Sequence, residues 1–342
     1  MKNERFDFYV DKLRKAKIEM QKIIVGQEEM IECFLICLVI NGHVWVEGPP
    51  GVGKTLGALT LANILDVDFK KIQFTPDLLP LDLKTTIDPL AKSEGPASGS
   101  ETTALIDKFI KGVVFTNILL VDEGNRGPQK VQAALLEVGQ ERQVTVGARV
   151  YKLDRPHMII ITTNDVEHEG TYNIAEALAD RMTLKAKLGY PSFEEERKIA
   201  ARRKSIESGK IDVAKIFNKA EIIEMQDLFE ELYQFDPESH LTDYAVRIVR
   251  HIRAEGEKPK EEALVAYGPT PRGSSDLLVS ASALAMLEGT LTVTPGHIKK
   301  MALPALRGTF TLTENADREK KTHDIIINEA LQKEPVLDED GP

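Results

Sequence analysis

The sequence predicts an α/β fold, a parallel sheet buried on both faces and followed by a smaller all-helical domain. Three observations carry this. Short, almost uninterrupted apolar runs alternate with helical patterns through the first half, as in strands covered on both sides by crossover helices. A glycine-rich turn joins the first of these runs directly to a helix. From about Ser192 onward only helical periodicity remains, with Pro and Gly at the joints.

The elements follow in order. MKNERFDFYVDKLRK is an amphipathic, charged start without the apolar centre of a signal peptide. In IECFLICLVI the apolar run is far shorter than the ~20 residues that cross a bilayer, so no membrane span is expected and the protein reads as soluble and cytoplasmic. Cys33 and Cys37, one helical turn apart, read as small packed hydrophobes in a reducing compartment. Then come the strand HVWVEG, the helix KTLGALTLANIL, the strands FKKIQF and NILLVDE, the helix KVQAALLEVGQ and the strand HMIIITTN. Two stretches interrupt this alternation. AKSEGPASGSETT (91–103) has loop chemistry, and QVTVGARVYKL (143–153) alternates about Gly147 as a β-hairpin does. FEEERKIAARRKSI, AEIIEMQDLFEELYQF, YAVRIVRHIRAE and SSDLLVSASALAMLEG supply the helical domain, and EPVLDEDGP is an acidic tail. The expected division is a sheet domain at 1–191, a helical domain at 192–315, and a C-terminal helix with its tail at 316–342.

Composition narrows the function. A chain of 342 residues with 42% hydrophobic content can bury a large core. With 44 Lys+Arg against 54 Asp+Glu, the net charge of -10 excludes a whole-chain basic footprint and makes nucleic acid an unlikely partner.

The chemistry is concentrated in separated pieces. GPPGVGKT fits the phosphate-loop pattern G-x-x-x-x-G-K-[ST] and lies between a strand and a helix, where that mechanism requires it. Gly51 and Gly53 permit the backbone to turn its N–H groups inward around phosphates, with Pro50, Val52 and Leu56 completing the loop; Lys54 would reach the terminal phosphates of ATP and Thr55 would coordinate Mg2+. ILLVDE adds the second arm, with Asp122 as the metal-side carboxylate and Glu123 as the base that polarises the attacking water. Asn164, at the tip of HMIIITTN, is a polar group placed to touch the terminal phosphate or that water.

Together these pieces resemble the AAA+ ATPases, and within them the MoxR family of the helix-2-insert group. The resemblance runs from IIVGQ to LRGTF and rests on IVGQEE, VEGPPGVGKT, IQFTPDLLP, FTNILLVDEGNR, ALLEVGQERQVTV, EGTYNIAEALADR, GPTPRG and TPGHIKKMALPALR. It implies an αβα P-loop core of about five parallel strands, a C-terminal helical lid, and a homo-oligomeric ring, usually a hexamer, with ATP between neighbours. It further implies that Val25, Gly26 and Gln27 flank the adenine and that Asn164 is the sensor-1 residue. Arg181 matches the arginine finger directed at the neighbour's γ-phosphate, and Arg272 the sensor-2 arginine of the lid, which also touches nucleotide. A finger of this kind contributes ~10³-fold or more in rate. The stretch 83–114 occupies the helix-2 insert and 143–153 the hairpin before sensor 1.

The implied activity is ATP hydrolysis coupled to remodelling, maturation or cofactor insertion of a client protein, in this family often one with a von Willebrand factor A domain. A DNA-acting translocase and a nucleotide-gated scaffold with little turnover are the alternatives. One departure from the family lies after the two acids, where Gly124 and Gly127 flank Asn125-Arg126. Glycine there is expected to loosen the turn before the helix that Pro128 starts, leaving Arg126 free to contact a subunit interface.

Overall fold

The computed structural model describes residues 2–86, 110–164, 172, 174–207 and 212–336. The 91–103 loop, most of the expected insert at 83–114 and the end of the acidic tail lie outside the described residues.

Helix α1 (Lys2–Ile23) buries Phe6, Tyr9, Val10, Leu13, Ala16 and Met20, a stripe at three- and four-residue spacing. Helix α2 (Glu28–Val39) is apolar almost all round and correspondingly buried. Cys33 and Cys37 are free and buried within it, and burial pushes both thiols well above their ordinary pKa. The sheet then builds up through β1 (Val44–Glu47), α3 (Lys54–Ile64), β2 (Phe69–Gln73), β3 (Ile118–Asp122), α4 (Gln129–Glu141), β4 (Met158–Thr163), α5 (Glu176–Ala179) and β5 (Leu184–Lys187). Among the described residues these strands form one five-stranded parallel sheet, in the order β5-β1-β4-β3-β2.

Two-residue periodicity divides the sheet between two cores. Val44, Val46, Ile118, Leu120 and Ile160 face one, while Leu119, Val121, Ile159 and Ile161 face the other. An antiparallel hairpin of Gln143–Val146 and Arg149–Lys152 follows α4, its turn made by Gly147 at φ +59°.

The rest is mainly helical, with a short antiparallel pair of Val265–Tyr267 and Thr311–Leu312: α6 (Phe193–Glu207), α7 (Lys219–Leu232), α8 (His240–Glu255), α9 (Pro271–Glu288), α10 (Pro295–Leu306) and α11 (His323–Lys333). Asn218 and Glu221 form a capping box on α7, Ser239 caps α8, and Gly289 in the left-handed region stops α9. Helix α9 is buried on nearly every side and forms the centre of this bundle.

The helical part does not stand apart. Its apolar residues join those of α1, α2 and one sheet face in a single core. Helix α1 packs against α2 and α3 of the sheet part and also against α9, while Lys12 pairs with Glu221 and the Tyr9 hydroxyl donates to Glu224. Gln226 of α7 donates to the Leu38 carbonyl at 2.9 Å. Arg307, just past α10, forks onto Asp324 and also reaches Glu29.

At the amino ends of the strands a second polar group is locked into the fold. His43 accepts from the Ile159 N–H at 3.1 Å through Nδ1 and donates to the Gly139 carbonyl at 3.0 Å through Nε2. His157 donates to the Thr116 carbonyl at 2.8 Å. Arg142 ties both neighbourhoods to Asn41. Burial first, then the Arg142 charge, holds His43 at a pKa of about 3. For His157 burial again leads and Arg142 adds to it, against the Thr116 hydrogen bond, giving about 4.

Candidate active site

At the carboxyl end of β1 the chain turns through Gly51 and Gly53, with φ of +82° and +96°. A Cβ at either position would enter open space, so conformation and not crowding demands glycine there. Gly53 is also the N-cap of α3 and provides no side-chain cap, which leaves the first N–H groups of that helix directed at the loop's concavity. Lys54, buried behind the loop, donates to the carbonyls of Gly48 and Pro49 and, at 2.9 Å, to Oδ1 of Asn164. The phosphate-loop lysine and the tip of β4 therefore meet directly.

The two acids lie beside this loop. Thr55 Oγ1 is 3.2 Å from each oxygen of Asp122, which also receives Thr162 Oγ1 at 2.5 Å and Lys71 Nζ at 2.6 Å. Burial alone would raise the Asp122 pKa, but the Lys71, Thr162 and Thr55 hydrogen bonds outweigh it and keep the carboxylate below its ordinary range. Glu123 is one of the few described non-glycine residues in the left-handed region, at φ 55° and ψ 49°. Its carboxylate accepts from Gln73 Nε2 at 2.9 Å and faces Arg126 Nε at 3.1 Å.

The turn after Glu123 corrects an expectation. Residues Gly124–Arg126 form one turn of 3-10 helix, and the glycines are dictated by space. A Cβ on Gly124 would stand 2.5 Å from Ile161 Cγ2, and one on Gly127 would overlap the Phe74 ring. The turn is clamped, not loosened, and Arg126, half exposed, pairs with Glu123.

A cavity of about 580 Å³ adjoins the loop. Pro50, Gly51, Val52, Gly53 and Leu56 line one side, and Ile23, Ile24 and Val25 an apolar wall. Gly26 has φ +75° with the Glu195 side chain packed against it, and Gln27 is buried, donating to the Gly189 carbonyl at 3.2 Å. The remaining wall comes from Tyr190 and from Ile199, Arg202, Arg203 and Ile206 of α6, a contribution that residue patterns read as lid had hidden. The signal was present: Ile199, Arg203 and Ile206 fall on one helical face, and no residue of the helix whose side chain is described is fully buried.

Arg181 and Arg272 stand elsewhere. Arg181 precedes β5, whose first residue Leu184 pairs with Val44, whereas the phosphate loop follows Glu47, which pairs with Lys187. Arg181 and the loop thus occupy opposite ends of the same strands, separated by roughly 10 Å of backbone at ~3.3 Å per residue. Arg181 donates to Gln140 at 3.1 Å and pairs with Asp180 at 3.3 Å. Arg272, in the first turn of α9, pairs with Asp276 at 3.3 Å, while Thr270 donates to Asp180 at 2.9 Å. Burial pushes Asp276 up to about 6 despite Arg272, and the Asp180 charge adds to the rise. The two arginines share one acidic cluster, apart from their own chain's loop.

The residues present fit a Mg2+-bound polyphosphate: an open-faced glycine loop on a helix N-terminus, a buried lysine, and a hydroxyl–carboxylate pair of hard oxygen donors. Fold and site together define a P-loop ATPase core of the AAA type with a helical lid. Residues 43–184 match the ATPase family associated with various cellular activities, and residues 257–330 match the AAA lid domain. The chain is 36% identical over 330 residues to chaperone MoxR1 of Mycobacterium tuberculosis, covering 94% of this chain and 82% of that one. It is 25% identical over 337 residues to protein MoxR of Paracoccus denitrificans, covering 95% and 96%. A crystal structure from Cytophaga hutchinsonii, described as an ATPase, superposes with a TM-score of 0.84 at 35% identity over 98% of both chains. The chain belongs to the MoxR family of AAA ATPases.

Proposed function

We propose that this chain hydrolyses ATP at sites completed between adjacent copies of itself in a ring, and uses the cycle to remodel or mature a client protein. The observation that carries this is the placement of Arg181 and Arg272 at the opposite end of the sheet from Lys54, Asp122 and Glu123. A single chain holds both halves of an ATPase site and brings only one of them to any phosphate. Head-to-tail packing of copies delivers the arginine pair of one to the loop of the next, the arrangement that closes a ring.

Within the site the roles follow from geometry. The loop N–H groups and Lys54 bind the phosphates. Thr55 and Asp122 are the residues that would hold Mg2+, whose contribution is charge neutralisation on the phosphates. Glu123 orients and deprotonates the attacking water. Asn164, bonded to Lys54, links the loop to the tip of β4. The guanidinium groups of the neighbour stabilise charge on the transferring phosphoryl group.

The client is proposed to be a protein, with a von Willebrand factor A domain as the first candidate. The chaperone description of the Mycobacterium tuberculosis relative supports a protein client, and the net charge of -10 weighs against DNA. Capture with a Glu123→Gln variant tests this. The variant should retain a specific protein when ATP is supplied and release it with ADP; retention indifferent to nucleotide, or DNA-stimulated turnover in the wild type, would contradict the reading.

A further inference from the structure

We infer that Thr162 is the residue that positions both acids of the ATPase site, acting on Glu123 through the backbone and on Asp122 through the side chain. The inference rests on the ATPase reading above and assigns a role to a residue that has no place in it. Thr162 lies on β4 and is 1% exposed. A buried hydroxyl needs partners, and it can give one hydrogen bond while accepting others. Thr162 uses it in both senses. It donates to Asp122 Oδ1 at 2.5 Å, the short distance of a bond to a charged oxygen, and accepts the Glu123 N–H at 3.2 Å.

The position of these bonds explains why a threonine is needed. The β3–β4 pairing ends with Val121 against Ile161, so the Glu123 N–H lies beyond the ladder. Glu123 leaves the strand in the left-handed region, which a side chain adopts only under constraint. The Thr162 hydroxyl supplies that constraint, and in the same bond pattern it fixes the plane of Asp122. Asp122 has two further partners in Thr55 and Lys71, whereas the Glu123 amide is held by Thr162. Loss of the hydroxyl should therefore disturb the base more than the nucleotide-binding groups. Thr162 touches neither phosphate nor water in this account and is a positioning residue.

The test compares Thr162→Val, which keeps the shape, with Thr162→Ser, which keeps the hydroxyl, beside the wild type. Turnover, affinity for a fluorescent ATP analogue, and hydrogen exchange at the Glu123 amide in nucleotide-free protein are all measured. Thr162→Val should lower kcat on the order of 10- to 100-fold while analogue affinity stays within about 3-fold, and Thr162→Ser should recover most of the loss. The Glu123 amide should exchange faster in Thr162→Val and at the wild-type rate in Thr162→Ser. Should Thr162→Val not fold, Thr162→Cys takes its place with the same expected outcomes. A hydroxyl-free variant with wild-type kcat and amide protection overturns the inference, as does a loss that Thr162→Ser fails to recover. A wild type that does not hydrolyse ATP overturns the ATPase reading as well, and is told apart from the first outcome by that comparison.

Discussion

At the carboxyl ends of β1, β3 and β4, charged side chains crowd round a loop whose glycines leave space, and each is tied by bonds that a bound phosphate or cation can replace. At the amino ends of the same strands the polar groups are mostly taken up by the fold: His43, Arg142, Asn41 and the Nδ1 side of His157 interlock with main-chain atoms, while His157 Nε2 is buried without a partner among the described residues. Glycine tells the same story in two ways. Gly51 and Gly53 are needed for backbone angles beside open space, whereas Gly124 and Gly127 are needed because Ile161 and Phe74 already fill the volume. One end is arranged to exchange partners and the other to hold them. The arginine pair lies towards the interlocked end, where Arg181 pairs with Asp180 and Arg272 with Asp276.

The sharpest way to break this contrast is to remove the arginine. Arg181→Ala should lower turnover by ~10³-fold or more while nucleotide affinity of the dilute chain changes little. A parallel loss of affinity in the monomer would place Arg181 in its own chain's site. The interlocked end is tested by acid. A histidine whose folded pKa is depressed binds its proton more readily when unfolded, so its stabilising contribution is complete above about 6.5, the ordinary value, and is lost as pH falls towards about 4 for His157. Across that window His157 should cost the wild type about 3 kcal/mol, and denaturant unfolding of His157→Asn should show a correspondingly flatter acid arm. Equal slopes for the two proteins would mean that His157 is not buried in its neutral form. The glycine contrast gives the smallest effect: Gly124→Ala should cost about 1–3 kcal/mol through overpacking against Ile161, measured by denaturant midpoint. An unchanged midpoint would restore the looser turn that the sequence suggests.

Much of the exchanging end is legible in the sequence because its chemistry is local. GPPGVGKT lies on contiguous residues between a strand and a helix, and ILLVDE ends its own strand, so spacing and hydrophobic runs suffice to find Gly51, Lys54, Thr55, Asp122 and Glu123. The parallel sheet is legible for the same reason, since strands buried on both faces read as unbroken apolar runs. What escaped depends on contacts between distant segments. The cavity wall made by α6 reads as a lid helix because its partner, the Ile23–Val25 segment, is far away in sequence. The shared core of α1, α2 and the lid has no local signature, since an amphipathic stripe does not name what covers it. The turn at Gly124 and Gly127 reads as loose from sequence because Phe74, just after β2, and Ile161, on β4, which decide the packing, are distant in the chain. Thr162 carried no motif at all, and a threonine in a buried strand draws attention only when the polar atoms it meets are known.

On the proposed arrangement each site takes its acids from one chain and its arginine from another, so mixing two inactive variants should restore part of the activity. Glu123→Gln chains retain the arginine and lack the base, while Arg181→Ala chains retain the base and lack the arginine. In an equal mixture the account predicts recovery to about a quarter of wild-type turnover, the fraction of head-to-tail junctions in a random ring that unite an intact base with an intact arginine. Turnover that stays at the level of the separate variants, in a mixture shown to have co-assembled, would contradict it.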